Sequence, residues 1–296
     1  MLRASIVFLF FANPIVALAE MHVVIVKGLG GSETYESQFT EQVVAITTAS
    51  RSVTDSEHVT TLVENQARKE HIVEHLNVLA EQLDSSDQLV IYLIGHGSYD
   101  GYEYKFNVPG PDITGEQLHA LLQEIPATKF LVNTSSASGA IERLFESDDT
   151  TMVLATRSGV ERHATRFGQF FAESLSSENA DIDKNRRISG QEAFSFADRQ
   201  VKQYFEQNNS LATEHAVLRA KGFESVTLSM LDQTQAAASS SVRSALEQQK
   251  DSLNKDIESL KTNRSSYDES EYQRLLLQKL IELARVEEKI EQGVTE

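Results

Sequence analysis

Two short apolar segments, each ending in a small-residue loop, limit what this chain can fold into. Residues 89–94 are a continuous apolar run, rich in β-branched and aromatic side chains, that stops at Gly95-His96-Gly97. Residues 129–132 form a second run, which stops at the polar segment 133–139. Runs of this length followed by turn residues are typical of strands that are buried on both faces of a sheet.

The segment between the two runs predicts how the strands are connected. Residues 114–125 repeat apolar side chains at helical spacing, and a strand–helix–strand order indicates parallel neighbours joined by a right-handed crossover. The carboxyl ends of both strands then lie at one edge of the sheet, where open α/β folds bind their ligands. One end carries His96 and the other a row of serine hydroxyls, which is the layout of a base beside a nucleophile.

These two motifs resemble those of the caspase-like cysteine peptidases, and of the legumain-like branch in particular. In that branch a glycine-bracketed histidine follows one strand, and the pattern acid-Ala-Cys-x-Ser-Gly follows the next. Matched residue by residue, His96 takes the position of the base, Ser136 that of the nucleophilic cysteine, and Ser138-Gly139 the end of the motif. The resemblance covers roughly residues 21–222 and implies an α/β fold, a caspase-like three-layer sandwich with a mainly parallel sheet.

The chain departs from that family at the nucleophile, because it contains no cysteine at all. A thiol is partly ionised near neutral pH, whereas a serine hydroxyl needs a positioned base, an orienting acid and an oxyanion hole. The sequence therefore favours a catalytically impaired module that binds peptide or serves as a scaffold. The alternative is an active hydrolase that uses Ser136 with His96 as general base, with Ser135 and Ser138 as weaker candidates for the nucleophile. Neither hypothesis requires a cofactor for catalysis.

Other residues at the same edge complete the expected site. The predicted oxyanion and pocket residues are Gly97, Ser138, Gly139 and Arg157. Backbone N–H groups at Gly97 and Ser136 would face a developing oxyanion. Arg157 follows the next apolar strand, residues 152–156, and is expected to hold a carboxylate of the substrate or of the protein, or to be an ordinary surface arginine.

Residues 181–192 follow the twelve-residue pattern of an EF-hand calcium loop. The predicted ligands are Asp181, Asp183, Asn185, the backbone carbonyl of Arg187, Ser189 and Glu192. Hard cations prefer such a ring of oxygen atoms. Arg186 stands where a glycine normally makes the sharp turn, and a non-glycine residue at positive φ costs about 1 kcal/mol. The loop is predicted either to bind a structural Ca²⁺ or to cap the following helix without a metal.

The two ends of the chain have a different character from the centre. A basic residue, an apolar run and a small-x-small site predict a signal peptide over residues 1–19, and hence export to a bacterial periplasm or the extracellular space. A membrane anchor is disfavoured because the apolar run is short and interrupted. The α/β domain is predicted over residues 20–225, a linker over 226–241, and a helical hairpin or coiled coil over 242–292. Arms this short are expected to persist by docking on the α/β domain or by self-association.

The net charge of the chain restricts the classes of molecule that it is expected to bind. With 27 basic and 44 acidic residues the net charge is −17, which argues against nucleic acid and anionic lipid and leaves a peptide or protein as the expected ligand. No membrane span is expected after signal cleavage. The histidines 119, 163 and 215 lack metal-ligand spacing, and the segment 213–215 is assigned no role.

Overall fold

The computed structural model describes residues 19–146, 149–219, 222–231, 233–264 and 267–292. All of the predicted signal peptide except Ala19 therefore lies outside the described residues. The chain divides into two compact units, Met1–Met230 and Leu231–Glu296. Among the described residues, none of the helices is long and apolar enough to cross a membrane.

The first unit alternates strands and helices. Its elements are β1 Met21–Lys27, α1 Glu33–Ser50, β2 Val59–Leu62, α2 Lys69–Gln82, β3 Gln88–Ile94, β4 Gly97–Tyr99, β5 Tyr104–Phe106, β6 Ile113–Thr114, α3 Gly115–Gln123, β7 Thr128–Asn133, β8 Thr151–Leu154, α4 Phe167–Ser174, β9 Arg187–Ser189, α5 Gly190–Gln207, β10 Val217–Arg219 and β11 Thr227–Met230. Short 3₁₀ segments lie at Ser56–His58, Glu64–Ala67 and Ser138–Phe145.

Six of these strands form the central sheet, in the order β10-β8-β7-β3-β1-β2. All neighbours are parallel except β10, which runs antiparallel to β8. Helices α2 and α3 pack together on one face of the sheet, and α1, α4 and α5 on the other. The predicted three-layer α/β architecture with a mainly parallel sheet is confirmed.

The strand that precedes His96 lies in the middle of the hydrophobic core. β3 is flanked by β1 and β7, and residues 89–94 are all buried. Burying each large apolar side chain stabilises the fold by about 1.5–3 kcal/mol. Because the parallel strands all point the same way, the ends of β1, β3, β7 and β8 meet at one edge of the sheet, which we call the carboxyl edge.

The predicted linker over residues 226–241 is wrong. Residues 227–230 form β11, which pairs antiparallel with β9 beside the calcium-like loop. Helix α6 begins at Gln233, because the Ala/Ser/Gln-rich run that follows has ample helix propensity.

The second unit is an antiparallel pair of helices, α6 Gln233–Thr262 and α7 Glu269–Gln292. Lys250 pairs with Glu287 at 2.8 Å, and Lys279 with Asp256 at 2.9 Å, so the pairings run in opposite directions along the two helices. Leu253, Ile257 and Val286 are buried. The predicted C-terminal helical hairpin is confirmed.

Candidate functional site

His96 lies at the carboxyl edge, two residues after β3, and its ring is held by the loop after β1. Its Nε2 is 3.1 Å from the carbonyl oxygen of Gly30. The rings of Tyr35 and Phe39 meet it edge to face, with centroids at 4.8 and 5.1 Å. A carbonyl oxygen only accepts hydrogen bonds, so Nε2 carries the proton and Nδ1 keeps the lone pair in the neutral ring.

The loop that holds His96 is itself anchored by a buried lysine. Lys27 Nζ contacts the Glu36 carboxylate and lies 3.2 Å from Thr40 Oγ1. The other Glu36 oxygen accepts the Gly30 N–H at 3.1 Å. The hydrogen bond from Lys27 lowers the pKa of Glu36. A side chain at Gly30 would overlap the backbone of Glu36, so a glycine is required there.

Ser136 lies three residues beyond β7 and is only 3 % exposed. Its Oγ faces the backbone N–H of Gly97 at 3.5 Å, which is long for a hydrogen bond. A Cβ at Gly97 would overlap the carbonyl oxygen of Ser136. Among the described residues no hydrogen bond joins His96 to Ser136. The fold therefore brings the two predicted motifs into contact through Gly97, but it does not form the predicted base–nucleophile pair.

Ser135 is part of a buried polar network. Its Oγ donates to Asn133 Oδ1 at 2.8 Å and lies 2.6 Å from the Tyr104 hydroxyl. Burial raises the pKa of Tyr104 to about 12, so this hydroxyl stays protonated and supplies the second hydrogen bond. The hydroxyl of Ser135 is thus used to support the turn after β7.

Ser138 and Gly139 bond to the loop after β8, and their predicted role in a pocket stays a prediction. Both residues are buried. Ser138 Oγ accepts the Thr156 N–H at 3.1 Å, and the Gly139 N–H donates to Thr156 Oγ1 at 2.9 Å. A side chain at Gly139 would overlap the backbone at Ser158. These residues join the loop after β7 to the loop after β8.

Arg157 holds a carboxylate of the protein, which is one of the three roles left open by the sequence. Its Nε lies 3.1 Å from Glu161 Oε1, and its backbone N–H donates to Glu161 Oε2 at 3.1 Å. The same carboxylate accepts the His215 N–H at 3.1 Å and lies 2.7 Å from His215 Nδ1. The Glu161 carbonyl accepts the N–H of Ala137, the residue after Ser136. Glu161 therefore connects three loops at the carboxyl edge.

Ala137 has a strained backbone beside Ser136. Its φ of 56° lies in the left-handed region, which costs a non-glycine residue about 1 kcal/mol or more. The bond to Glu161 and a turn in which Ala140 donates to Ala137 hold this conformation in place. The Ser136 side chain thus sits on a turn whose shape is imposed by its surroundings.

Glu214 is a second carboxylate that sequence reasoning missed. It is buried and accepts the backbone N–H groups of Arg166 and Phe167 at 2.8 and 3.1 Å, at the start of α4. Burial raises the pKa of Glu214, although the N–H groups of Arg166 and Phe167 act in the opposite direction. Glu161 and His215 are 54 positions apart, so no local spacing marks them. The acid–histidine pair in segment 213–215 was the available signal.

The calcium-like loop brings its predicted acidic ligands together. Carboxylate oxygens of Asp181, Asp183 and Glu192 all lie within 4.8 Å of one another. Arg186, at the glycine position of the pattern, has a φ of 65°. The turn therefore has the left-handed backbone that the EF-hand pattern calls for at this position. The donor set and its order fit a hard cation such as Ca²⁺.

The remaining predicted ligands close the loop and cap the next helix. Asn185 Oδ1 accepts the Arg187 N–H at 2.7 Å. Ser189 and Glu192 form a capping box at the start of α5, and this cap leaves both predictions for the loop open. Burial acts to raise the pKa of Glu192, but hydrogen bonds from Ser189 and Ile182 lower it below its ordinary value. The carboxylate thus stays ionised, as a metal ligand must be.

Comparisons with known proteins add little. No family model matches the chain, and no curated protein matches it. A solved structure with a similar chain course is the crystal structure of protein GSU0716 from Geobacter sulfurreducens. It is 11% identical, with a TM-score of 0.47, and the match covers 72% of this chain and 100% of that one. Function must therefore be inferred from the residues of this chain.

Proposed function

We propose that this protein is an exported, legumain-like peptidase homologue that binds a peptide or protein ligand without cleaving it. The observation that carries this proposal is that Ser136 and His96 each face a backbone group at the carboxyl edge and not one another. Ser136 Oγ faces the Gly97 N–H, and the protonated nitrogen of His96 faces Gly30. A serine that no base contacts cannot pass its proton to a base during attack. General-base catalysis contributes about 10²–10⁴-fold to the rate of such a reaction.

The surface around this edge supports ligand binding. Leu29 follows β1 and is 46% exposed, Tyr102 lies in the β4–β5 connection and is 96% exposed, and Val160 follows β8 and is 74% exposed. His96 and Gly97 between these loops are half-buried and hence reachable. Exposed apolar side chains at the ligand-binding edge of an α/β sheet favour a partner with apolar groups of its own, such as a peptide.

One observation favours the alternative, a hydrolase. The bond to Gly30 leaves the lone pair of His96 on Nδ1. In that mechanism Nδ1 would take the proton of Ser136 Oγ as the oxygen attacks a peptide carbonyl, and the Gly97 N–H would stabilise the oxyanion. No metal or cofactor takes part. This mechanism needs a rearrangement that brings Nδ1 to the serine, because the two groups are not hydrogen-bonded.

Peptide turnover and peptide binding together distinguish the two functions. Fluorogenic peptides with Asn, Asp, Arg or Lys at the cleaved position would be given to the wild type and to Ser136→Ala, and binding of the same peptides would be followed by fluorescence anisotropy. We expect saturable binding to both proteins and no difference in turnover. Turnover that disappears in Ser136→Ala would establish the hydrolase instead.

A matched pair of surface variants locates the binding face. Val160→Glu places a charge among the exposed apolar side chains of the carboxyl edge, whereas Val78→Glu changes an equally simple exposed valine on α2. We expect the first variant to weaken peptide binding and the second to leave it unchanged. Equal effects would place the peptide elsewhere.

We also propose that residues 181–192 hold a structural Ca²⁺. The convergence of Asp181, Asp183 and Glu192 supports this proposal. The ion would be bound by these carboxylates, by the side chains of Asn185 and Ser189 and by the carbonyl of Arg187. Its contribution would be to fold stability, because it neutralises like charges where β9 and α5 begin.

Scaffolding would use the C-terminal helices. Leu277, Leu280 and Ile281 on α7 are exposed, and exposed apolar side chains on a charged helix favour association with a second copy. Analytical ultracentrifugation of the wild type and of Leu280→Glu tests this proposal. Loss of a dimer in the variant is expected, and a monomeric wild type would contradict it.

A further inference from the structure

A cluster of histidines lies at the edge of the sheet opposite the candidate site. His22 is in β1, His58 ends the turn that leads into β2, and His75 is in the middle of α2. All three line one cavity of about 250 Å³. Glu20, just before β1, reaches both His22 and His58. None of these residues contributes to the chemistry described above.

The donor atoms of this cluster converge. Nε2 of His22 lies 3.8 Å from Glu20 Oε2, and Nε2 of His58 lies 3.6 Å from the same oxygen. The two rings are stacked, with centroids 4.3 Å apart. One ligand atom from each of the three residues falls within 4.8 Å of the others. Ligands of a tetrahedral ion with bonds of about 2.0 Å are about 3.3 Å apart, so a small closing movement would bring Glu20, His22 and His58 to bonding distance. His75 lies outside this converging group.

His75 supplies an independent observation. Its Nε2 is buried, and it has no hydrogen-bond partner among the described residues. A buried polar atom without a partner is unfavourable, because it has lost its hydrogen bonds to water. Because His75 lines the same cavity as His22 and His58, this nitrogen is a candidate further donor to an ion bound there.

The charged residues around the cluster indicate which charge a ligand of the cavity carries. Glu57 also lines the cavity, and Asp87 lies nearby because its carboxylate accepts the Glu20 N–H at 3.0 Å. The Gln88 N–H donates to the Glu20 carbonyl at 2.8 Å, so the backbone of Glu20 is fixed at the cluster. With carboxylates on several sides, an anion is disfavoured and a cation is favoured.

We propose that Glu20, His22 and His58 form a binding site for a divalent transition-metal ion, with His75 from the same cavity as a further ligand and Zn²⁺ as the best match. Three imidazoles and one carboxylate are a donor set that suits Zn²⁺, whereas Ca²⁺ and Mg²⁺ prefer oxygen donors alone. The ion would join the segment before β1, the turn before β2 and α2. The site is separate from the proposed peptide-binding edge, and either proposal can fail without the other.

Titration of the purified protein with Zn²⁺ tests the site, with excess Ca²⁺ present to occupy any oxygen-rich site. We expect one Zn²⁺ per chain by calorimetry, a rise in melting temperature that a chelator reverses, and no such effect of Mg²⁺. His22→Gln and His58→Gln should each weaken Zn²⁺ binding by about 10–100-fold or more. His71→Gln is the matched control, because His71 is exposed on α2 one turn before His75.

Two results would overturn the proposal. The first is the absence of Zn²⁺ binding by the wild type. The second is binding that His58→Gln and His71→Gln affect equally, which would place the ion on exposed histidines. Co²⁺ substitution of the wild type needs no variant and guards against misfolding. Intense visible absorbance indicates the tetrahedral nitrogen-rich site proposed here, and the weak bands of octahedral Co²⁺ would contradict it.

Discussion

The loop over residues 181–192 and the loop over residues 133–139 both bond their polar side chains to the protein, but only the first brings carboxylates together. In the first, three carboxylates point to a common centre. In the second, each serine oxygen faces a group of the protein: Ser135 Oγ bonds to Asn133, Ser138 Oγ bonds to Thr156, and Ser136 Oγ lies 3.5 Å from the Gly97 N–H. The carboxylates of the first loop also accept backbone N–H groups, from Ile182, Asn185 and Arg186, but each ionised carboxylate has further lone pairs that a cation can use. The serine oxygens of the second loop only hold the backbone of the carboxyl edge.

The difference shows which sites a linear pattern can specify. All ligands of the calcium-like loop lie within twelve residues, so local turns and the capping box fix their directions. A base and a nucleophile on separate loops depend on distant residues instead. His96 is turned toward Gly30, on the loop that Lys27 and Glu36 anchor, rather than toward Ser136.

The largest effect is expected from Ser136→Cys, which tests whether the second loop lacks only a thiol. A thiolate does not need a tightly bound base, so the variant should recover the contribution of proton transfer, about 10²–10⁴-fold in peptide turnover over the wild type. His96→Ala in the cysteine background should remove this gain. Ser135→Cys is the matched control on the neighbouring buried hydroxyl and should stay inactive. If Ser136→Cys gains nothing, Ser136 is not at a nucleophile position.

Calcium addition should give the next largest effect, because it tests whether the first loop is a real ligand site. At a Ca²⁺ concentration of about 100 times Kd, binding to the folded state alone adds about 2.7 kcal/mol to the free energy of unfolding. Glu192→Gln should abolish this gain, while Asp198→Asn, which removes an acid farther along α5, should keep it. Urea unfolding with and without Ca²⁺ measures both. If Ca²⁺ stabilises Glu192→Gln as much as the wild type, the ion does not bind to this loop.

Arg186→Gly sharpens the same test at a smaller scale. Arg186 has a φ of 65°, and glycine at this position should stabilise the protein by about 1 kcal/mol, less whatever the arginine side chain contributes. Arg187→Gly is the control, because Arg187 is in β9 with ordinary strand geometry, and glycine there should destabilise by about 0.5–1 kcal/mol. Thermal melts of both variants provide the comparison. Destabilisation by both substitutions would mean that the turn carries no strain.

The sequence predicted the sheet, the crossover and both loops because these depend on buried runs and short spacings. Residues 89–94 indicated a buried strand because the run is short, rich in β-branched residues and bounded by glycine. The connections at the carboxyl edge were beyond sequence reasoning, because Glu161 meets His215 across 54 positions. The linker prediction failed for a related reason, since β11 is a strand only because β9 is there to pair with it. The histidine cluster was missed because its members come from three elements.

Glu214 gives the smallest expected effect and tests how the carboxyl edge is held together. Burial raises its pKa above the ordinary value of 4.5, so the folded protein keeps this proton to a higher pH than the unfolded chain does. The group therefore favours the folded state most below pH 4.5, and this contribution is lost as the pH rises through the raised pKa. In Glu214→Gln the contribution is removed, while an amide oxygen still accepts the N–H groups of Arg166 and Phe167. The unfolding free energy of the variant minus that of the wild type should accordingly rise as the pH increases from 4.5 toward neutrality. Glu206→Gln, on the exposed face of α5, is the control for the loss of a negative charge. A difference that falls over this range would mean that the backbone hydrogen bonds outweigh burial, and that Glu214 holds the start of α4 as an ionised cap.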